Sequence, residues 1–460
     1  MSTGQPTALE QLDNVIAETV SHISDFTVSP TAFTRNRKLN AGTTLKVILG
    51  MQGKGLNKEL LDAFPNSDDR MTASALEQAK AKFKPDVTEH IFREFNNTLT
   101  EPKLLDDKYR VFAIDGSDFN PNYSPDSAYV MDAPSGRPRK DGEPVKPYCQ
   151  IHTNILYDIE NRYYHDCILQ SRSHMDERGA AIEMIKRIDN SVPFIVEMDR
   201  GYESLNLFCN CDAIDNCYYI VRVKDGKCGI KEIQALPDKE IDTEIEFTIT
   251  TSGTFFRQWK DKIPNLKYIN HIHKHYKEEI SKNTTDRRWD FGKFHKLKVR
   301  VCKFRINDAD TGREEWEVLV TNLNRFEFSI DRLKEQYFSR WKIEESFRSL
   351  KYAVGGIQFH SKKDNFVQME FFANLTMYNV TSRNINTVSV PKGIEKKYKY
   401  EVNFKDAVAV TKKYFRLFNI EPYEKVYTEL LMYTHPVREG RRDKRKIKPK
   451  TAVWFVYRVA

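Results

Sequence analysis

The hydrophobic pattern along the chain changes period twice. From Leu9 to about Asn96, apolar residues recur every three to four positions. This predicts short amphipathic helices over Leu9–Ile23, Thr43–Met51, Leu56–Phe64, Thr72–Phe83 and Asp86–Asn96. Within the fourth, Ser74 with Glu77 three residues later fits a capping box. After about residue 105 the pattern shortens to strands. "YRVFAID" (Tyr109–Asp115), "YCQIHTNILYD" (Tyr148–Asp158), "RYYHDCILQ" (Arg162–Gln170), "PFIVEMD" (Pro193–Asp199) and "CYYIVRV" (Cys217–Val223) are β-rich runs. A polar, Pro-rich loop separates the first two, and helices are predicted over Met175–Ile188 and near Ser204–Asn210. The mixture predicts an α/β domain.

From about Lys224 to Asn324 the chain reads as an all-β insertion, through "TEIEFTITTSGTFF", "LKVRVCKFRI" and "EWEVLVTNL". Helical periodicity then returns as one helix over Ile330–Tyr352, and again after Asn365.

Composition changes this picture little. At 40% hydrophobic residues the 460-residue chain can bury a large core, and global disorder is excluded. No apolar run reaches the roughly 18 residues of a membrane span. The N-terminus lacks a basic region followed by an apolar block, so no signal peptide is expected. Seven Cys without framework spacing suggest reduced thiols and a cytoplasmic setting. The net charge of +8 is modest, but basic residues concentrate between Arg438 and Lys450. That stretch is either a solvated tail or a contact for a polyanion backbone.

Two carboxylates share a context. Asp115 in "AIDGSDFN" and Asp199 in "EMDRGYES" each follow a short apolar strand and precede Gly or Arg-Gly. Such residues converge on one sheet edge, or else serve as helix caps and turn formers. A third stands in "YFSRWKIEESFRSLKY" (Tyr337–Tyr352). On one helix Tyr337, Arg340, Glu344 and Lys351 fall within roughly 60° of each other, with Arg348 close by. Ile343, Phe347 and Leu350 supply a docking face beside them. The stripe reads either as solvated ion pairs or as a carboxylate flanked by cations. Together, three carboxylates from two strands and a helix suit divalent Mg²⁺, a hard ion that takes oxygen ligands.

The spacing Tyr337-x2-Arg340-x3-Glu344-x6-Lys351 resembles the Y-R-E-K signature of bacterial insertion-sequence DDE transposases of the IS-four type. "IDGSD" and "MDRGY" resemble that family's first and second Asp motifs, so the likeness spans roughly Tyr109 to Tyr352. It implies an α/β ribonuclease-H-like catalytic core with an all-β insertion, plus a helical N-terminal domain. The expected divisions are a helical DNA-binding domain over 1–105, of helix-turn-helix type, and a first core part over 106–223. The insertion over 224–325, a second core part over 326–385 and a C-terminal region with the basic tail over 386–460 follow. The resemblance also implies catalytic and metal-binding roles for Asp115, Asp199 and Glu344 with Mg²⁺ or Mn²⁺. It implies DNA contacts from Tyr337, Arg340, Arg348 and Lys351, double-stranded transposon-end and target DNA as partners, and a homodimer in the synaptic complex. The implied setting is the bacterial cytoplasm, at the nucleoid.

Trp316 stands 28 residues before Glu344, where some family members stack a flipped base; the alternative is a core Trp in a strand. His271, His273 and His275 in "HIHKH" could bind Zn²⁺ but lack an evident fourth ligand. Cys209, Cys211, Cys217 and Cys228 lack paired zinc spacing and read as small core residues. Three functions remain open: a transposase, a catalytically inactive DNA-binding descendant of one, and a nuclease that cuts without joining.

Overall fold

Alternating burial builds one large sheet, and the computed structural model places it at the centre of the chain. The structure describes residues 6–437 except residue 36 and the stretches 132–146, 226–228, 270–287, 308–313 and 391–397. "HIHKH", Cys228 and the basic segment Arg438–Lys450 lie outside the described residues.

The N-terminal segment folds as helices α1 (Ala8–Ser21), α2 (Ala41–Gly50), α3 (Leu56–Ala63), α4 (Ala73–Lys80) and α5 (Val87–Asn97). The cap of α4 is Thr72, whose hydroxyl accepts from the Ala75 amide. Ser74 already has a place inside the helix, so the expected Ser74–Glu77 box does not cap it. A reciprocal box closes α1 instead, between Thr7 and Glu10.

Next come β1 (Arg110–Phe119), a small pair β2 (Val130–Met131) and β3 (Tyr148–Cys149), β4 (Ile151–Asp158), β5 (Tyr163–Ser171), α6 (Glu177–Lys186), β6 (Phe194–Met198), α7 (Leu205–Asp212) and β7 (Cys217–Val223). Residues 224–325 contribute α8 (Lys231–Gln234), β8 (Ile241–Thr250), α9 (Gly253–Trp259), β9 (Leu266–Tyr268), β10 (Phe294–Asn307) and β11 (Glu314–Thr321). This stretch is therefore not purely β. The run "SGTFF" turns helical because the Ser252 hydroxyl accepts from the Phe255 amide and starts α9.

Among the described residues the main sheet has nine strands in the order β5-β4-β1-β6-β7-β11-β10-β8-β9. β5, β4 and β1 are antiparallel neighbours, whereas β1, β6 and β7 run parallel. This mixed five-stranded part, with helices on both faces, is compatible with the ribonuclease-H-like core expected. β11 joins β7, so the strands of the 224–325 stretch lengthen the same sheet instead of building another.

Helices α10 (Ile330–Phe338), α11 (Trp341–Ser349) and α12 (Asp364–Thr387) follow. The expected single helix over Ile330–Tyr352 is broken. Around Ser339–Arg340 the backbone bonds tighten to i→i+3, as from Arg340 N to Tyr337 O and from Ile343 N to Arg340 O. A wider π-type turn, Leu350–Val354, ends the segment. The chain closes with β12 (Lys399–Val402), α13 (Phe404–Tyr414), α14 (Lys425–Leu430) and β13 (Thr434–Val437).

The two sheet faces bury different sets. Val111, Ala113 and Ile155 join α11, α12 and helices α1, α2 and α5 in one apolar cluster. Phe112, Ile114, Val196 and Met198 pack against α6 and α7 on the other side. The N-terminal helices thus share a core with the sheet, while Leu60, Leu76 and Ala79 of α3 and α4 form a smaller cluster with Val47.

One buried polar cluster ties the N-terminal helices to α12. Glu370 accepts from Lys80 Nζ at 2.9 Å and from the His360 amide at 2.8 Å, with all three side chains nearly fully buried. Burial pushes the Glu370 carboxyl up, but His360 and Lys80 outweigh it and hold it at about 2. Removing the carboxylate leaves the fully buried Lys80 with the partly exposed Glu77, 3.1 Å away, as its remaining carboxylate. Glu370→Ala should therefore destabilise the protein by about 3–5 kcal/mol, read from urea unfolding at neutral pH.

Candidate functional site

Adjacent parallel strands deliver the first two carboxylates. Ile114 of β1 pairs with Met198 of β6 at the end of their shared register. The next residues, Asp115 and Asp199, therefore stand side by side on the same face. Their backbones differ from the expected strand-end symmetry. Asp115 does not end its strand, because β1 continues to Phe119 against β4, with Asp115 opposite Ile155. Asp199 does end β6, and its Oδ1 accepts from the Gly201 amide at 2.7 Å to start a 3-10 turn. The Asp-Gly turn alternative is thus excluded for Asp115, while for Asp199 a capping role coexists with its place at the edge.

The third carboxylate arrives on α11, whose Ile343, Phe347 and neighbouring Leu350 dock in the large apolar cluster. Glu344 stays accessible, with 37% of its side chain exposed. Arg340, in the tightened turn before α11, is 5% exposed. Its Nη2 donates to Glu344 Oε1 at 3.1 Å, and its Nη1 lies 3.6 Å from Asp115 Oδ2. Arg340 therefore links the helix carboxylate to the strand carboxylate. Its Nε has no hydrogen-bond partner.

Charge at this edge is under-compensated. Burial pushes the Asp115 carboxyl up to about 7; Arg340 pulls it down, while Asp199 and Glu344 push it further up. Among the described residues, no group of three or more His, Cys, Asp or Glu stands close enough to hold a metal ion. The donor chemistry nevertheless fits one. Three carboxylates offer only hard oxygen ligands, and Asp199 and Glu344 both act on Asp115. Arg340 supplies positive charge there.

The rest of the expected stripe separates. Lys351, in the π-type turn, donates to Ser117 Oγ at 2.8 Å and lies over the Phe119 ring, which places it on β1 beyond Asp115. Burial holds its amine below the usual value. Arg348 is exposed on α11. Tyr337 is instead buried at 4%, packed with Tyr109, Phe304 and Phe328 behind Arg340, and its hydroxyl has no hydrogen-bond partner. Trp316 is half-buried on β11 with Lys303 and Arg305 at 5.3 and 4.9 Å from its ring. Its neighbour Glu317 meets Arg222 at 3.2 Å on the face that carries Tyr337, so Trp316 points to the opposite face. The structure therefore brings Asp115, Asp199, Arg340 and Glu344 together and leaves Trp316 apart.

Other charged groups at this edge carry little sequence signal. Glu197, two residues before Asp199, is fully buried and accepts from Gln336 Nε2 at 2.7 Å and from Ser339 Oγ at 3.4 Å. Burial raises its carboxyl to about 8, against those two hydrogen bonds. It ties β6 to the α10–α11 junction. Its one clue was a charge inside "PFIVEMD", in step with Asp199. On the opposite face His152 of β4 lies between Asp118 and Glu177, with Nδ1 2.7 Å from Asp118 Oδ1 and Nε2 3.0 Å from Glu177 Oε1. Burial lowers its pKa, but the two carboxylates outweigh that and raise it to about 9. Nothing in the sequence joined these three, since they come from separate strands and a helix.

A family model described as "Transposase DDE domain" matches residues 106–380, more than half of the chain. The chain is also similar to a piggyBac transposase in a cryo-EM structure of its synaptic complex with hairpin DNA. That similarity has a TM-score of 0.46 and 12% identity, and covers 97% of this chain and 89% of the other. No curated protein matches.

The charge at Asp115 has a measurable sign. Its folded-state pKa of about 7 lies above the ordinary 3.8, so ionising it costs the fold stability as pH rises from about 4 through about 7. Asp115→Asn removes that cost. In EDTA, thermal melts should show the variant more stable than wild type at pH 8, by a few kcal/mol at most, with the two converging near pH 4. A variant no more stable at pH 8 would mean that Arg340 compensates the charge in full.

Proposed function

The chain belongs to the transposase DDE-domain family, and on that premise we propose that it is a DNA transposase of the IS-four type. It binds the terminal inverted repeats of its own element, cleaves the ends by hydrolysis and joins the 3′ hydroxyls to target DNA. The observation that carries this reading is the convergence of Asp115, Asp199 and Glu344 around Arg340, drawn from two strands and a distant helix. The Tyr337-x2-Arg340-x3-Glu344-x6-Lys351 spacing supports the subfamily.

Asp115, Asp199 and Glu344 would hold Mg²⁺ or Mn²⁺. A bound pair of such ions supplies activation of the attacking oxygen and stabilisation of the leaving oxygen. The protein's own groups do the rest. Arg340, released from Glu344, has a planar fork that suits a phosphate. Arg348 on the exposed face and Lys351 beside β1 add cations for the DNA backbone. Tyr337 and Glu197 brace the turn that carries Arg340. The N-terminal helices bind the repeats, and two copies of the chain bring two ends together.

The test is strand cleavage on the element's own ends. Wild type should nick them in Mg²⁺ and give joined products with target DNA. Glu344→Gln should lose at least about 100-fold in cleavage rate while still binding the ends. Full cleavage by that variant sinks the proposal. End binding without cleavage by wild type would identify a non-catalytic DNA-binding protein, and cleavage without joined products a nuclease.

A further inference from the structure

Glu177 has no role in the site as described, yet it opens onto the same edge. It stands in the first turn of α6, with 32% of its side chain exposed. His152 holds its Oε1 at 3.0 Å, and Asp118 holds the other nitrogen of His152, so the carboxylate is oriented from behind. Two glycines leave it room. A Cβ on Gly116, the residue after Asp115, would lie 2.9 Å from Glu177 Oε1 and 2.7 Å from the His152 ring. A Cβ on Gly201, two residues after Asp199, would lie 2.9 Å from Asp199 Oδ1 and 3.9 Å from Glu177 Oε2. Glu177 Oε2 and Asp199 Oδ1 are thus both within 4 Å of one point above Gly201.

A second observation points to a ligand at that place. Tyr202 follows Gly201, is 1% exposed, and its hydroxyl has no hydrogen-bond partner. The charges that act on that hydroxyl are, in order, Asp115, Glu177 and Asp199. A buried hydroxyl without a partner costs about 1–3 kcal/mol. Here it lies within electrostatic reach of three carboxylates and of Arg340, where a hydrated cation would offer water oxygens.

We propose that Glu177 is a fourth carboxylate of the divalent-cation site, sharing with Asp199 an ion, or an ion-bound water, that also meets the Tyr202 hydroxyl. The inference rests on the reading of Asp115, Asp199 and Glu344 as the metal-binding set and adds a residue to it. His152 and Asp118 are then positioning residues, since they reach the ion only through Glu177. The ion's class is the hard divalent one, Mg²⁺ or Mn²⁺, because every donor is oxygen.

The experiment is a Mn²⁺ titration of the full chain without DNA, following free Mn²⁺ by electron paramagnetic resonance. Glu177→Gln should weaken binding about tenfold or more. Glu177→Asp keeps the charge but draws it back from Gly201, and should also weaken binding. It decides the matter if Glu177→Gln does not fold. Glu183→Gln, on the exposed side of the same helix, should bind as wild type does. If Asp115→Asn and Asp199→Asn weaken Mn²⁺ while both Glu177 variants bind like wild type, the fourth carboxylate is excluded and the three-carboxylate set stands. If wild type takes up no Mn²⁺, or none of the Asp115, Asp199 and Glu344 variants changes its uptake, the metal reading falls and this inference falls with it.

Discussion

Arg340 is the charge on which this edge of the sheet depends. Carboxylates brought together out of water repel one another, and each loses hydration that only a partner can replace. Arg340 offsets part of both terms for Asp115 and Glu344 at once, from a position only 5% exposed. The dependence is mutual. A guanidinium buried without those carboxylates would be as costly as the carboxylates without it.

Placing Arg340 requires the helix to break. A continuous helix would carry Tyr337, Arg340 and Glu344 as one stripe. Instead the i→i+3 turn lets Tyr337 sink into the cluster around Tyr109 and Phe304, while Arg340 turns toward β1. Glu197 pins that turn from β6 through Gln336 and Ser339. Strand β6 therefore positions the site twice, with Asp199 at its end and Glu197 one alternation earlier. The two parallel neighbours of β1 and β6 do not merely carry residues. Their shared register sets Asp115 beside Asp199 without any loop having to hold them.

The opposite face adds a second layer. Asp118, the buried His152 and Glu177 form a chain of charge that ends at the same edge, next to the glycines following each Asp. Gly116 and Gly201 matter here because a Cβ on the first would strike His152 and Glu177, and one on the second would strike Asp199. The 224–325 stretch works differently. By adding β11 to β7 it lengthens the sheet past the site, and it presents Trp316 on the far face between two cations.

Much of this was legible in the chain. Strand β7 has the bounds its pattern predicts, and β5, β6 and α5 differ by one residue at each end, because local periodicity reports burial directly; the run predicted over Tyr148–Asp158 is instead divided into β3 and β4. The three carboxylates could be picked out by type and context. What the chain could not show follows from distance along it. The helix over Ile330–Tyr352 is broken where Gln336 and Ser339 bond Glu197, more than 130 residues earlier in the chain. Asp115 became mid-strand because β4 pairs beyond it. Tyr337 was polar by type and buried by packing. His152 and Glu177 gained meaning only when β4 and α6 came together. Sequence by itself determined which residues have the chemistry and which elements carry them, since both depend on near neighbours. Tertiary structure alone decided which charges meet, because burial and Coulomb energy act through space between segments that the chain keeps far apart.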